Sequence, residues 1–269
     1  MTDKLIDSGP VLLDLDADGV AHLRLNRPEA ANGMNVELLK ALHGALMRVH
    51  GEARVRALVL SGEGKHFCAG GDVRDFASKG EALPDYLREA TAWLQMAVSA
   101  LVQLRAPVIA VVHGFAAGGG GFGLVCASDF AVAGESAKLF SGAVRVGMAP
   151  DAGATVTLAR LVGLRKAMEI LLTNPTLTAA EALEAGVLTK VVPDDSVYDE
   201  ALALARTIVA LPPRAIAETK RLLWRGLGAS FEAQLPDEAR TVSELSGTAD
   251  SREGLAAVIE RRAPKFTGE

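Results

Sequence analysis

Residues 118–121 of the chain are all glycine, set in "GFAAGGGGFGLVCASDF" between the apolar run "APVIAVVHG" (106–114) and an apolar helical segment. A glycine inside a helix costs about 1 kcal/mol against alanine, so the run must answer a steric or a chemical need. Backbone N–H groups at a helix N-terminus attract anions. The anion could be a phosphate, or the oxyanion that develops on a carbonyl during reaction; close helix packing is the structural alternative. Gly118, Gly120 and Gly123 also fit G-x-G-x-x-G, but a run of glycines fits many patterns, and no acidic residue is well placed for a ribose. A second glycine-bearing loop, "GKHFCAGGD" (64–72), follows another apolar run, "VRALVLSG" (55–62). Two such loops could each aim one N–H at the same carbonyl oxygen. Asp151, in "VGMAPDAG", is a carboxylate that could carry a proton. The structural alternative for Asp151 is the N-cap of a helix over 152–163.

Rigid elements must hold these loops. "VLLDLDADGVAHLRLN" (11–26) alternates about Asp18-Gly19 and predicts a hairpin. Leu39, Leu42, Leu46 and Val49 recur at helical spacing behind Asn35, a capping residue. A long amphipathic helix is expected within 83–105, and further helices over 150–163, 164–173 and 178–186. "VLTKVV" reads as a last strand. From about residue 196 the pattern is helical, with one segment starting at Pro212-Pro213 and another over 252–266. Strands alternating with helices and then a strand-free stretch imply an α/β core, 1–195, and a helical C-terminal region, 196–269.

Composition narrows the function. About half of the 269 residues (49%) are apolar and 23% charged, which suits a globular domain with a sizeable core. A net charge of −5 gives no basic face for nucleic acid or an anionic membrane. Cys68 and Cys126 have no disulfide or metal spacing and read as buried thiols. The five histidines and the acids show no metal-ligand spacing, and Ser141 lacks a G-x-S-x-G setting. No window is long and apolar enough for a membrane span, and the first residues do not read as a signal peptide, so a cytoplasmic location is expected.

With these residues in view, the chain resembles the crotonase (enoyl-CoA hydratase/isomerase) superfamily. "LNRPEAANGMN" (25–35), "GKHFCAGGDV" (64–73), "APVIAVVHGFAAGGGGFGLVCASD" (106–129), "EALEAGVLTKVVP" (181–193) and "EGLAAVIERRAPKF" (253–266) carry the likeness in the family's order. The resemblance implies an α/β spiral of ββα units and a helical C-terminal region that trimerises, as a homotrimer or a dimer of trimers. It also implies an acyl-CoA thioester substrate, with coenzyme A as part of the substrate and no separate cofactor. By motif, Gly71 supplies one oxyanion N–H. The second comes from the glycine run, which holds one glycine more than the family pattern. Counting from Gly114 selects Gly119, and counting back from Asp129 selects Gly120; the gapless match of "GFGLVCASD" favours Gly120. The family pattern places Gly33 and Ala69 near the adenine, Arg27 near the phosphates, and Arg261 and Lys265 over the nucleotide from the same or a neighbouring subunit.

The chain departs from the family where hydratases carry two glutamates. Phe122 or Gly123 stands at the first place and Ala143 at the second, and neither can titrate. Some branches of the superfamily, isomerases among them, carry an aspartate at the position of Asp151. The stretch 150–177 and "AWLQM" (92–96) resemble the 4-chlorobenzoyl-CoA dehalogenase branch, but that branch's assisting histidine falls on Leu94 and its flanking tryptophan on Ala143. The expectation is therefore double-bond isomerisation of an enoyl-CoA with Asp151 as base. Atypical hydration, aryl-CoA dehalogenation or hydrolysis, and silent acyl-CoA binding are the alternatives. His66 is expected near the CoA phosphates or simply packed, Asp72 and Asp129 as structural termini, and Arg145 facing either pocket or solvent.

Overall fold

The computed structural model describes residues 2–269; Met1, which the 1–195 segment includes, lies outside them. The chain begins with β1 (Asp3–Ile6), β2 (Val11–Leu15) and β3 (Val20–Leu25), paired antiparallel in that order. The β2–β3 hairpin turns where expected. The Asp16 carboxylate accepts from the N–H groups of Asp18 and Val20, both at 2.9 Å, and Gly19 takes φ +90°. After it come α1 (Val36–Gly51), β4 (Ala57–Gly62), α2 (Val73–Ser78), α3 (Leu83–Gln103), β5 (Val108–Val112) and β6 (Phe115–Ala117). A π-helical turn (Gly119–Gly123) leads into α4 (Leu124–Ala127), β7 (Phe130–Gly134), β8 (Lys138–Phe140), α5 (Ala154–Val162) and α6 (Leu164–Met168). Then follow β9 (Leu177–Thr178), α7 (Ala179–Glu184), β10 (Lys190–Val192), α8 (Val197–Val209), α9 (Pro213–Gly226), α10 (Phe231–Ser246) and α11 (Ala249–Glu260).

Seven strands form one sheet in the order β1-β2-β3-β4-β5-β7-β10, parallel from β3 onward. A second, smaller layer holds β6-β8-β9, extended by parallel bridges from Cys68 to Ala116 and from Met34 to Gly71. Each turn of the chain therefore places one strand in the large sheet, one short extended segment in the second layer, and then a helix. The four turns are β3, Met34 and α1; β4, Cys68, α2 and α3; β5, β6 and α4; β7, β8 and α5. That is a spiral of ββα units, as the resemblance implied.

Both faces of the parallel strands are covered, which explains their unbroken apolar runs. On one face Leu23, Leu58 and Leu60 pack with Leu42 and Leu46 of α1 and Leu101 of α3. On the other, Val59, Val111 and Val132 meet Ala201, Ala205 and Ile208 of α8. The first helix of the 196–269 stretch thus closes the core, and α9 packs beside it through Ile216.

Two helix ends differ from expectation. The helix expected over 150–163 starts at Ala154, because Ala152 (φ +52°) and Gly153 (φ +72°) are left-handed. The last helix stops at Glu260 instead of 266: Arg261 (φ +54°) ends it, and Pro264 follows. Among the described residues no helix is long and apolar enough to cross a membrane.

Candidate active site

Hydrogen bonds zip the two glycine loops together. Phe67 N–H donates to the His113 carbonyl (2.9 Å), Cys68 N–H to Phe115 (3.0 Å) and Ala117 N–H to Cys68 (2.9 Å). On the other side Ala69 N–H donates to Ala31 (3.0 Å), Met34 N–H to Gly70 (2.7 Å) and Asp72 N–H to Met34 (3.0 Å). Residues 31–34, 67–72 and 113–118 therefore lie side by side beyond the C-terminal ends of the parallel strands, where open α/β sheets place ligands. A concavity of about 780 Å³ lies at the other end, among Arg54, Arg105 and Arg214, and includes none of these loops.

Gly70 and Gly118 meet where the loops cross. Both have positive φ, +93° and +60°, and a β-carbon on Gly118 would stand 3.0 Å from Gly70 Cα and 3.6 Å from Gly71 N. Only glycine allows that backbone at that separation. The neighbouring Gly71 N–H reaches no protein acceptor among the described residues. It precedes Asp72, whose carboxylate caps α2 by accepting from Asp75 N–H at 3.1 Å, so Asp72 is the structural terminus expected.

The glycine run enters its helix through the π turn, which is how a helix absorbs one extra residue. That is why counting from the two ends selects different glycines. Gly118 and Gly119 are half-buried, whereas Gly120 is buried, its missing β-carbon replaced by Met34 Sδ and Cys68 Sγ. Gly119 lies beneath Asp151: a β-carbon there would overlap the Asp151 carboxylate. The run therefore meets a steric need. It admits the neighbouring loop and Asp151, and it leaves helix N-terminal N–H groups beside Gly71.

Asp151 is half-buried, and its carboxylate accepts from no other residue among those described. Burial pushes its pKa above the ordinary carboxylate range, opposed only by its own N–H. The capping alternative fails. Gly153 is the N-cap residue of α5, no side chain caps it, and Asp151 contributes only its carbonyl, which accepts from Ala154 N–H at 2.9 Å.

The positions of the family glutamates are occupied in other ways. Phe122 is in the core at 1% exposure. Gly123 faces Ala152, whose β-carbon is 2.6 Å from where its own would stand. Ala143 opens a short 3₁₀ turn (Ala143–Val146). The turn is held by Asn174, which accepts from Gly142 N–H (2.9 Å) through Oδ1 and from Arg145 (2.7 Å) through its carbonyl. Arg145 also lies over the Phe140 ring, 5.4 Å from its centre, which resolves the alternatives left for it: it braces this turn. Sequence reasoning did not single out Asn174, which ends the preceding helical turn at a left-handed φ of +52°, a conformation that asparagine favours among non-glycine residues.

Of the expected CoA residues, Arg27, Gly33 and Ala69 come together. The Arg27 guanidinium donates to the Gly33 carbonyl and to Asp72 (3.2 Å), while Ala69 is exposed. Arg261 and Lys265 lie apart from them, with backbone bonds to Val258 and Glu253 inside the C-terminal region. His66 is packed: Nδ1 accepts from Phe115 N–H (3.2 Å) and its ring lies 4.8 Å from that of Phe115. Asp129 is the expected structural residue at the start of β7, bonded to Val108 N–H at 2.7 Å.

The two zipped glycine loops on a parallel spiral leave the Gly71 N–H without a protein acceptor among the described residues, beside the start of the glycine helix, an arrangement able to hold a carbonyl oxyanion. The family model for enoyl-CoA hydratase/isomerase matches residues 16–269. The chain belongs to that family. It is 38% identical to a probable enoyl-CoA hydratase of Rhodobacter capsulatus over 94% of this chain and 96% of that one. It is 35% identical to the 1,2-epoxyphenylacetyl-CoA isomerase of Escherichia coli over 93% and 96%. The crystal structure of an enoyl-CoA hydratase from Bacillus anthracis superposes with a TM-score of 0.92 at 32% identity, covering 97% of this chain and all of that one.

Proposed function

We propose that the protein shifts a double bond in an enoyl-CoA through an enolate, with Asp151 as the only acid–base group. The unpaired, half-buried Asp151 carboxylate over Gly119 carries this reading. The thioester oxygen sits between the Gly71 N–H and one from the start of the glycine helix; the half-buried Gly119 offers the more accessible donor and Gly120 the other. Asp151 removes a proton from C2 of a 3-enoyl-CoA. The electron pair passes to the thioester oxygen, where two N–H donors hold the charge, each worth about 3 kcal/mol of barrier. Asp151 then returns the proton at C4, the thioester carbonyl re-forms and the double bond lies between C2 and C3. One carboxylate suffices because the same proton leaves and returns.

Water addition is the second reading, favoured by the hydratase names of several relatives. It needs a group to activate water, and Phe122, Gly123 and Ala143 offer none. The test is to incubate 3-enoyl-CoA and 2-enoyl-CoA with wild type and Asp151→Ala, following products by mass and ultraviolet absorbance. Conversion of the 3-enoyl to the 2-enoyl form that disappears in the variant supports the isomerase. A gain of 18 mass units, the mass of water, that survives the variant supports hydration. Unchanged acyl-CoA that stays bound would leave a binding role, and turnover of aryl-CoA alone would point to the dehalogenase-like alternative.

The proposal includes a trimer or a dimer of trimers. The C-terminal helices expose Phe231, Val242, Leu255, Val258 and Ile259, the last at 81%, a quantity of apolar surface that single soluble chains avoid. In such an assembly Arg261 and Lys265 could reach the nucleotide of a neighbouring subunit. Light scattering of the purified protein tests the assembly.

A further inference from the structure

The Asp151 carboxylate has no hydrogen-bonded anchor outside its own residue, yet general-base catalysis requires a fixed position. What holds it is packing on two glycines one turn apart. Gly119 leaves the space that the carboxylate fills, and Gly123 leaves the space that Ala152 fills. A β-carbon on Gly123 would stand 2.6 Å from Ala152 Cβ and 3.8 Å from both Ala152 Cα and the Asp151 carbonyl oxygen. Ala152 is 7% exposed and left-handed at φ +52°. A non-glycine residue keeps such a backbone only where its surroundings impose it. We propose that Gly123 is a positioning residue: its bare α-carbon seats Ala152, and that seat holds the Asp151 carboxylate over Gly119 beside the oxyanion donors. This rests on the reading of Asp151 as the base.

The proposal also gives a physical reason for the missing glutamate. The place at residue 123 is not open space, because Ala152 fills it. With the Ala152 methyl in place, a side chain at 123 and this placement of the Asp151 loop exclude each other.

The test compares Gly123→Ala, the double variant Gly123→Ala with Ala152→Gly, and Asp151→Asn, using 3-enoyl-CoA as substrate. Gly123→Ala is expected to lower kcat by about 100-fold, the scale of a 1 Å misplacement, while KM stays within about threefold, since no thioester contact is removed. The acid limb of its pH–rate profile should move, because the carboxylate has left its site. Removing the Ala152 methyl relieves the clash, and glycine accepts φ +52° without strain, so the double variant should recover most of the rate and the wild-type profile. A merely destabilised fold could be rescued too, but it would not move the acid limb of the folded enzyme. Wild-type kcat in Gly123→Ala, or a folded double variant as slow as the single one, overturns the proposal while Asp151→Asn is inactive. If Asp151→Asn turns over normally, the base reading is what fails. The crystal structure of Gly123→Ala then judges the seat alone: the carboxylate displaced from Gly119 supports it, and an unmoved carboxylate overturns it.

Discussion

Asp129 lies two residues after α4, and Asp151 lies over the glycines that lead into it. Asp129 has its lone pairs taken: Val108 N–H donates at 2.7 Å, Trp224 Nε1–H at 2.8 Å, and Lys220 Nζ stands at 2.6 Å. Lys220 itself donates to the Ala106 carbonyl at 3.1 Å, and although burial pulls its pKa down, Asp129 opposes that. Among the described residues Asp151 has no cation and no donor beyond its own N–H. One helix thus has a carboxylate at each end, one tied into a buried network and one left basic. Pairing fixes the docking of α9 on the core; burial without a partner raises the proton affinity of Asp151 and suits proton transfer.

The comparison breaks first if the two residues can exchange their effects. Asp151→Asn should lower kcat for 3-enoyl-CoA by about 10²–10⁴, the usual range for a lost acid–base group, and leave the folded state intact. A loss below about tenfold would place the base elsewhere. Asp129→Ala should do the reverse. It leaves Lys220 buried and unpaired, at a cost of about 3–5 kcal/mol, measurable by denaturant unfolding, while kcat per folded molecule holds.

Acidity sharpens the contrast. Because burial raises the Asp151 pKa, kcat/KM should fall on the acid side with a midpoint above the ordinary aspartate value of about 3.9. The stability effect has the opposite direction. A carboxyl whose folded pKa is raised binds more protons folded than unfolded, so it destabilises the fold at neutral pH. Asp151→Asn should be modestly more stable than wild type above the raised pKa. That advantage should shrink as pH falls through it and vanish below about 3.9. Thermal unfolding of both proteins across pH measures it, and a variant equally stable at every pH would mean that Asp151 is not strained by burial.

Much of this was legible in the sequence because it depended on local chemistry. The Asp18-Gly19 turn, the Asn35 cap, which accepts from Leu38 N–H at 2.9 Å, and the apolar periodicity of α1 each follow from neighbouring residues. What escaped is long-range. Nothing local says that Ala152 lies against Gly123, so a capping role for Asp151 stayed open until α5 was found to start at Ala154. The extra glycine could not be placed by counting, because the π turn absorbs it inside the helix. The Asp129 partners, 91 and 95 residues further along, leave no trace in local periodicity.

The smallest effect tests how evenly the Asp129 network is shared. Trp224→Phe keeps most of the ring that packs between α9 and the core but deletes the Nε1–H that donates to Asp129. Lys220 and Val108 remain on the carboxylate, and solvent can reach it because its side chain is 13% exposed. The loss should therefore be near the net worth of one hydrogen bond, about 1 kcal/mol, well short of the cost of stranding Lys220. In a double-mutant cycle with Asp129→Ala, the Trp224 effect should largely disappear, because its partner is gone. If Trp224→Phe cost as much with Asp129 absent as present, the indole would be acting through packing alone. The helix would then be docked by its apolar face, and the contrast between the two carboxylates would narrow to Lys220.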